Sequence, residues 1–249
     1  MSFVTSIVAV CPLRKEPDHR SEMTSQLLLG EFAEIVNEQK EFIKIKCLYD
    51  GYEGWCQRVQ LVQVDTVLTT TKFVAKPLGS IAINNLLCRV SFATPVFDGV
   101  VAYNNFTINY QAVATINAKE LAFTPENISN LSYIFLNTPY LWGGRTVFGI
   151  DCSGFAQQVY KLFNKILPRD AHQQAEKGEA LGFLEEAVCG DLAFFDNEVG
   201  LITHVGIMLN NYQIIHASGR VRVDTIDTAG IISSDTGLRT HRLRVVKRY

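Results

Sequence analysis

Cys152, in the run Asp151-Cys152-Ser153-Gly154-Phe155, is followed by two histidines in apolar runs. His204 lies within Ile202–Leu209 and His216 within Ile214–Ser218. A cysteine, a base and a third polar group are the equipment of thiol hydrolysis. The sulfur attacks a carbonyl carbon, one imidazole takes the thiol proton, and the other fixes its tautomer. Asp151 reads as the cap of a helix that Cys152 opens. There the helix dipole and the unpaired amides favour negative charge, which predicts a lowered thiol pKa and offers donors to an oxyanion. A lone cysteine otherwise reads as a small core residue, and a histidine in an apolar strand as a satisfied structural one. The Gly-rich approach through Gly143-Gly144 and the Ser153-Gly154 that follows favour the chemical reading.

The two histidines are separated by the Asn210-Asn211 turn, and hairpin geometry sets a condition on their pairing. A two-residue loop would pair His204 with Ala217 and put His216 on the opposite face. An odd loop, such as Leu209-Asn210-Asn211, or a bulge puts both on one face, and an Asn in the left-handed conformation is expected within it.

The elements that must hold these residues fall into three stretches. Residues 1–64 hold short strands with Gly turns: Leu29–Val36, the alternating Ile43–Cys47, and Tyr49–Trp55 with its turn cluster at Asp50-Gly51. That pattern predicts a small β-barrel. Residues 65–122 also read as β, with Asp98-Gly99 as a hairpin signal, and are expected to form a second, degenerate barrel. From residue 123 to 249 the texture changes. Thr124-Pro125 starts a helix that runs to Leu136. A second amphipathic helix carries Phe155, Val159, Leu162, Phe163 and Ile166, and Pro168 stops it. Strands follow at Leu192–Phe195, Thr203–Leu209 and Tyr212–Ala217, giving an α+β domain.

Composition narrows the function classes. A net charge of −2 gives no footprint for nucleic acid. The basic stretch Arg239–Arg244 reads as a strand with solvated arginines. No apolar run approaches the ~20 residues needed to span a bilayer. The first ten residues read as a strand and not a signal peptide, so a cytoplasmic location is expected. Six cysteines (11, 47, 56, 88, 152 and 189) are irregularly spaced and lack C-x-x-C pairs. They read as free thiols in a reducing compartment, and neither a metal nor an organic cofactor is expected.

Tyr140, Trp142-Gly143-Gly144, Asp151–Phe155, Leu167-Pro168-Arg169-Asp170, Gly190–Phe195, His204–Ile207 and His216-Ala217-Ser218, in that order, resemble the motifs of NlpC/P60 cysteine peptidases. The resemblance implies a papain-like core that cleaves cell-wall peptides, with Cys152 as nucleophile, His204 as base and His216 as third member. The N-terminal Gly-Glu and Gly-x-x-Gly-Trp pattern resembles a bacterial SH3 domain. Together they look most like γ-D-glutamyl-L-diamino acid endopeptidases acting on muropeptides with a free N-terminal L-Ala. On that likeness Asp151, Trp142, Ser153 and Tyr52 are substrate-binding residues, and the SH3 domain overhangs the cleft. Tyr52 reads equally as barrel packing, and Trp55 reads more readily as packing than as a substrate contact. Ala171 departs from the pattern, since many relatives carry a serine there that helps hold the substrate amine. Arg169 and Asp170 are expected to pair within the domain, and His172 and His19 to lie on the surface. The partner expected is a peptidoglycan-derived peptide. An exported wall endopeptidase or amidase, and a non-catalytic wall-peptide binder, are the alternatives.

Overall fold

The computed structural model describes residues 2–111 and 113–249. The first unit contains β1 (Phe3–Ser6), β2 (Val10–Arg14), β3 (Met23–Leu28), β4 (Phe32–Gln39), β5 (Phe42–Cys47), β6 (Glu53–Gln57) and β7 (Leu61–Val64). They form one antiparallel sheet in the order β3-β2-β6-β5-β4-β1-β7. The sheet wraps Cys11, Leu13, Leu27, Ile43, Ile45 and Cys56. The alternation in Ile43–Cys47 is what turns Ile43, Ile45 and Cys47 inward and Lys44 and Lys46 outward.

The second unit has β8 (Lys72–Val74), β9 (Leu78–Ile83), β10 (Leu86–Ser91), β11 (Pro95–Val96), β12 (Val100–Tyr103), β13 (Phe106–Asn109) and β14 (Thr115–Asn117). They make two small sheets, β10-β9-β13-β12 and β11-β8-β14. Asp98-Gly99 is not the hairpin the sequence signals: it carries the chain from β11 in one sheet to β12 in the other. The tight hairpins are asparagine turns instead. Ile83 pairs with Leu86 across Asn84-Asn85, both with positive φ, as a type I′ turn demands. Leu29, Phe32, Val62 and Val64 of the first unit pack with Val74, Ile81, Val90 and Ile108 of the second in one continuous core.

The third unit opens with α1 (Pro125–Tyr133), capped by the Thr124 side chain, which accepts from the Asn127 amide. The ladder β15 (Arg145–Thr146) and β16 (Gly149–Ile150) leads into α2 (Cys152–Lys161), then α3 (Ala171–Ala175) and β17 (Glu179–Ala180). Helix α2 stops at Lys161, before Pro168, and Asn164 turns the chain with φ of 57°. The main sheet holds β18 (Leu192–Asp196), β19 (Ile202–Met208), β20 (Gln213–Ser218), β21 (Arg220–Asp227), β22 (Gly230–Ile232) and β23 (Arg239–Arg248). Its order is β23-β18-β19-β20-β21-β22, and β22 pairs back onto β23, so the sheet closes into a barrel. Alternation sorts the side chains. Phe194, Val205, Ile207 and Ile215 face the helices, while Phe195, Met208, Ile214 and Ile226 fill the barrel.

The first and third units are locked by a buried ion cluster. Glu31 accepts from Arg145 at 2.8 and 3.0 Å and from Lys161 at 2.7 Å. Arg145 also donates to the Gln26 carbonyl at 2.6 Å. Burial raises the Glu31 pKa, but the two cations overcome it and hold the carboxyl at about 2. At Gly143 the interface runs so close that a Cβ would lie 2.6 Å from the Met23 carbonyl oxygen, and its φ is +75°.

Candidate active site

Cys152 is the first residue of α2 and only 5% exposed. Asp151 caps the helix, accepting from the Gly154 amide at 2.7 Å and from the Gly143 amide at 2.8 Å. Arg169 grips the same carboxylate with both terminal nitrogens, at 3.0 and 2.6 Å. It also donates to Ser153 Oγ at 2.9 Å and, across the domain boundary, to Ser25 Oγ at 3.0 Å. Asp151 and Ser153 therefore line the cleft with side chains already committed to Arg169 and the helix start. Arg169 pairs within its domain as expected, and clamps the SH3-like unit as well.

The predicted depression of the thiol pKa does not hold. Burial, aided by the Asp151 charge, pushes the Cys152 thiol up to about 12, against the pull of the Val205 amide, Arg169 and the Ser153 amide. Desolvation disfavours the thiolate by more than the helix start favours it. The Val205 amide that approaches this sulfur is the residue after His204, which seats the thiol against β19. Among the described residues no hydrogen bond joins Cys152 to His204.

His204 and His216 share the inner face of the barrel. Met208 pairs with Ile214 and Gly206 with His216, so the loop count is odd, but the histidines sit diagonally and not directly opposite. Neither Asn210 nor Asn211 has positive φ, contrary to expectation. The Asn210 side chain instead shapes the turn by accepting from the Tyr212 amide at 3.0 Å. Gly206 lets His216 approach, since a Cβ there would lie 2.8 Å from His216 Cβ. His204 Nε2 is 2.8 Å from His216 Nδ1, and His216 Nε2 is 3.0 Å from Asp224 Oδ2.

Proton counting along this chain fixes both tautomers. Asp224 is held ionised: burial raises its pKa, but His216, the Ser234 amide and hydroxyl, and Arg222 bring it far below the usual carboxylate range. An ionised carboxylate only accepts, so His216 Nε2 donates to it and His216 Nδ1 is left as an acceptor. His204 Nε2 must then donate to His216, which leaves His204 Nδ1 unprotonated and free to act as a base. Burial, with His216 and His241 nearby, lowers the His204 pKa well below its ordinary value, so the ring is neutral. The resting pair is a neutral thiol and a neutral imidazole.

A cleft of about 670 Å³ reaches Cys152. Tyr140, Trp142, Asp170, Ala171 and His172 line it from the catalytic unit, and Thr24 and Tyr52 from the SH3-like unit. Tyr52 is thus in the cleft of Cys152, beside Thr24, while Trp55 is buried in its own sheet. His172 lies in this cleft and not merely on the surface. Trp142, which lines the same cleft, is 58% exposed.

Sequence reading missed two participants, Asp224 and His241, and gave Tyr140 no role beyond its place in a motif. Asp224 joins the histidine chain only through the β20–β21 register, which sets Ile214 opposite Asp224 and His216 opposite Arg222. Tyr140 faces the cleft beside Cys152. His241 stacks on His204 with ring centroids 4.2 Å apart. The stretch Arg239–Arg244 is a strand with exposed arginines, as expected, Arg239 pairing with Asp227 and Arg242 with Asp196, while the ring of His241 packs on His204. Among the described residues no group of three or more His, Cys, Asp or Glu is placed to hold a metal ion. Nor is any helix among them long and apolar enough to cross a membrane.

Comparison with known proteins agrees with this geometry. Residues 137–240 match the NlpC/P60 family, and residues 13–61 match the bacterial dipeptidyl-peptidase SH3 domain. A γ-D-glutamyl-L-lysine dipeptidyl-peptidase of Bacillus subtilis (strain 168) is 28% identical over 215 residues, covering 78% of this chain and 71% of the relative. One from Bacillus cereus is 26% identical, covering 89% of this chain and 76% of the relative. In fold, the chain superposes on a crystal structure of an NlpC/P60 family protein from Bacillus cereus with TM-score 0.79. That match is 21% identical and covers 100% of this chain and 99% of the other.

Proposed function

Since the chain is a cysteine peptidase of the NlpC/P60 family with an N-terminal bacterial SH3 domain, we propose that it hydrolyses the γ-D-glutamyl–L-diamino acid bond of peptidoglycan stem peptides. Its substrates on this reading are muropeptide fragments with a free N-terminal L-Ala, met in the cytoplasm during wall recycling. The observation that carries the reading is Tyr52: a residue of the SH3 domain shares one cleft with the nucleophile, so the peptide must fit beneath that domain. The buried ion cluster at Glu31 supports a fixed overhang. The free thiols suit a reducing compartment.

In this mechanism Cys152 Sγ attacks the γ-glutamyl carbonyl as its proton passes to His204 Nδ1. The unpaired amides at the start of α2 are the donors for the oxyanion. His204 then gives the proton to the leaving amine, and the C–N bond breaks to leave a thioester. Water attacks the thioester, loses its proton to His204, and the thiol is restored. Throughout, Asp224 and His216 hold the charge that His204 acquires. At the amine end, Ala171 supplies no hydroxyl. Asp170, whose pKa burial raises, borders the same cleft and would be held ionised by a substrate ammonium.

The test compares L-Ala-γ-D-Glu-L-Lys, its diaminopimelate counterpart, N-acetylated versions of both, and intact sacculi. Cleavage of the free peptides alone supports recycling. Efficient cleavage of sacculi or blocked peptides would instead make the protein a wall endopeptidase. The L-lysine peptide comes first because the two Bacillus relatives carry that substrate in their names.

A further inference from the structure

We propose that His241 is a positioning residue for the catalytic base: its ring clamps the plane in which the His204 imidazole bonds to His216 and presents Nδ1 as the base. The proposal rests on the reading of His204 as base. His241 lies on β23, and its ring stacks on His204 at 4.2 Å between centroids with 28° between planes. The other contacts of the base are edge-on or tilted. His216 meets it at 83°, and Phe195, paired with it across β18 and β19, at 47°. Among the described residues His204 therefore has one stacked aromatic neighbour.

That stack answers a need the hydrogen bonds leave open. The bond from His204 Nε2 to His216 fixes one point on the ring but does not by itself set the plane of the ring. The stacked face of His241 sets that plane. His241 is itself held. Its Nδ1 lies 2.8 Å from Thr240 Oγ1, its ring meets Phe195 at 5.9 Å and His216 at 5.6 Å, and the β22 ladder pairs its backbone with Ile231. A flat aromatic surface is the property the geometry uses. A planar ring that cannot titrate should serve there, and a branched aliphatic side chain of similar bulk should not.

The test uses the full chain with His241→Ala, His241→Phe and His241→Leu. Two readouts are followed: turnover of L-Ala-γ-D-Glu-L-Lys, and the rate at which iodoacetamide alkylates Cys152, followed by peptide mass spectrometry. The alkylation rate needs no peptide substrate, so it reads the base even if the proposed substrate is wrong. A failure of peptide turnover in the wild type would sink the substrate reading alone. For His241→Ala the expected result is a roughly tenfold fall in kcat with KM within about twofold, and a parallel fall in alkylation. His241→Phe should recover most of both, and His241→Leu should not. The Phe–Leu comparison decides the matter if the alanine variant does not fold. Undiminished kcat and alkylation in His241→Ala, or equal rescue by leucine and phenylalanine, would overturn the proposal.

Discussion

His204 Nε2 and His216 Nδ1 lie 2.8 Å apart, and the direction of the proton between them is set by Asp224 on the far side. Asp224→Asn tests this directly. Asp224 Oδ1 accepts from Arg222, the Ser234 amide and the Ser234 hydroxyl. An Asn at this position must therefore turn its oxygen toward those donors and its NH2 toward His216. Every proton in the chain then reverses, and His204 Nδ1 becomes a donor that cannot take the thiol proton. By analogy with acid-to-amide changes behind catalytic histidines, kcat should fall by roughly 10²–10⁴-fold with KM little changed. A variant with wild-type kcat would break the tautomer argument.

The acid–base state of the pair sets a pH prediction. Burial lowers His204 and raises Cys152 to about 12, so thiol and imidazole are both neutral near neutrality. The acid limb of kcat/KM should fall below the ordinary histidine pKa of about 6.5. A thiolate absorbance measured between pH 6 and 8 should show no difference between the wild type and Cys152→Ser. The buried neutral thiol stabilises the fold below the unfolded cysteine pKa. That contribution fades as pH rises toward about 12. A thiolate signal at neutral pH would mean a preformed ion pair.

Gly206→Ala should damage chemistry through packing. The added methyl would lie 2.6 Å from Ile214 Cδ1 and 2.8 Å from His216 Cβ. The isoleucine tip can shift, but the His216 Cβ is fixed to its strand. A loss of about 1–3 kcal/mol in denaturant unfolding is expected, with kcat reduced and the β-barrel intact by circular dichroism.

Glu31→Gln should loosen the SH3 domain from the catalytic unit. It leaves Arg145 and Lys161 buried without their carboxylate, a change that typically costs about 3–5 kcal/mol. Because the folded pKa is lowered from 4.5 to about 2, the wild type loses this contribution as pH falls through that window, and the variant has none to lose. Urea unfolding at pH 7 and pH 3 measures both.

The local signals carried far. Thr124-Pro125, the alternation of Ile43–Cys47, and the Cys152 helix start each depend on neighbours in the chain, and each stands where those neighbours put it. The family resemblance and the α+β class were equally legible. What escaped depends on register and burial. Asp224 and His241 enter the site only because β20, β21 and β23 line up inside a closed barrel, which no short-range pattern encodes. The thiol pKa was misjudged for the same reason, since a helix N-terminus is visible in sequence and the depth of burial around Cys152 is not. Asp98-Gly99 has hairpin chemistry but was recruited to cross between sheets, while Asn84-Asn85 supplied the turn.

The central claim is that Cys152, under the overhang that carries Tyr52, cuts the γ-D-glutamyl bond of free-amine stem peptides. Mass spectrometry of L-Ala-γ-D-Glu-L-Lys incubated with the wild type and with Cys152→Ala measures it most directly. The expected result is release of L-Ala-γ-D-Glu and lysine by the wild type, with none by the variant. The same dipeptide released at an undiminished rate by Cys152→Ala would contradict it.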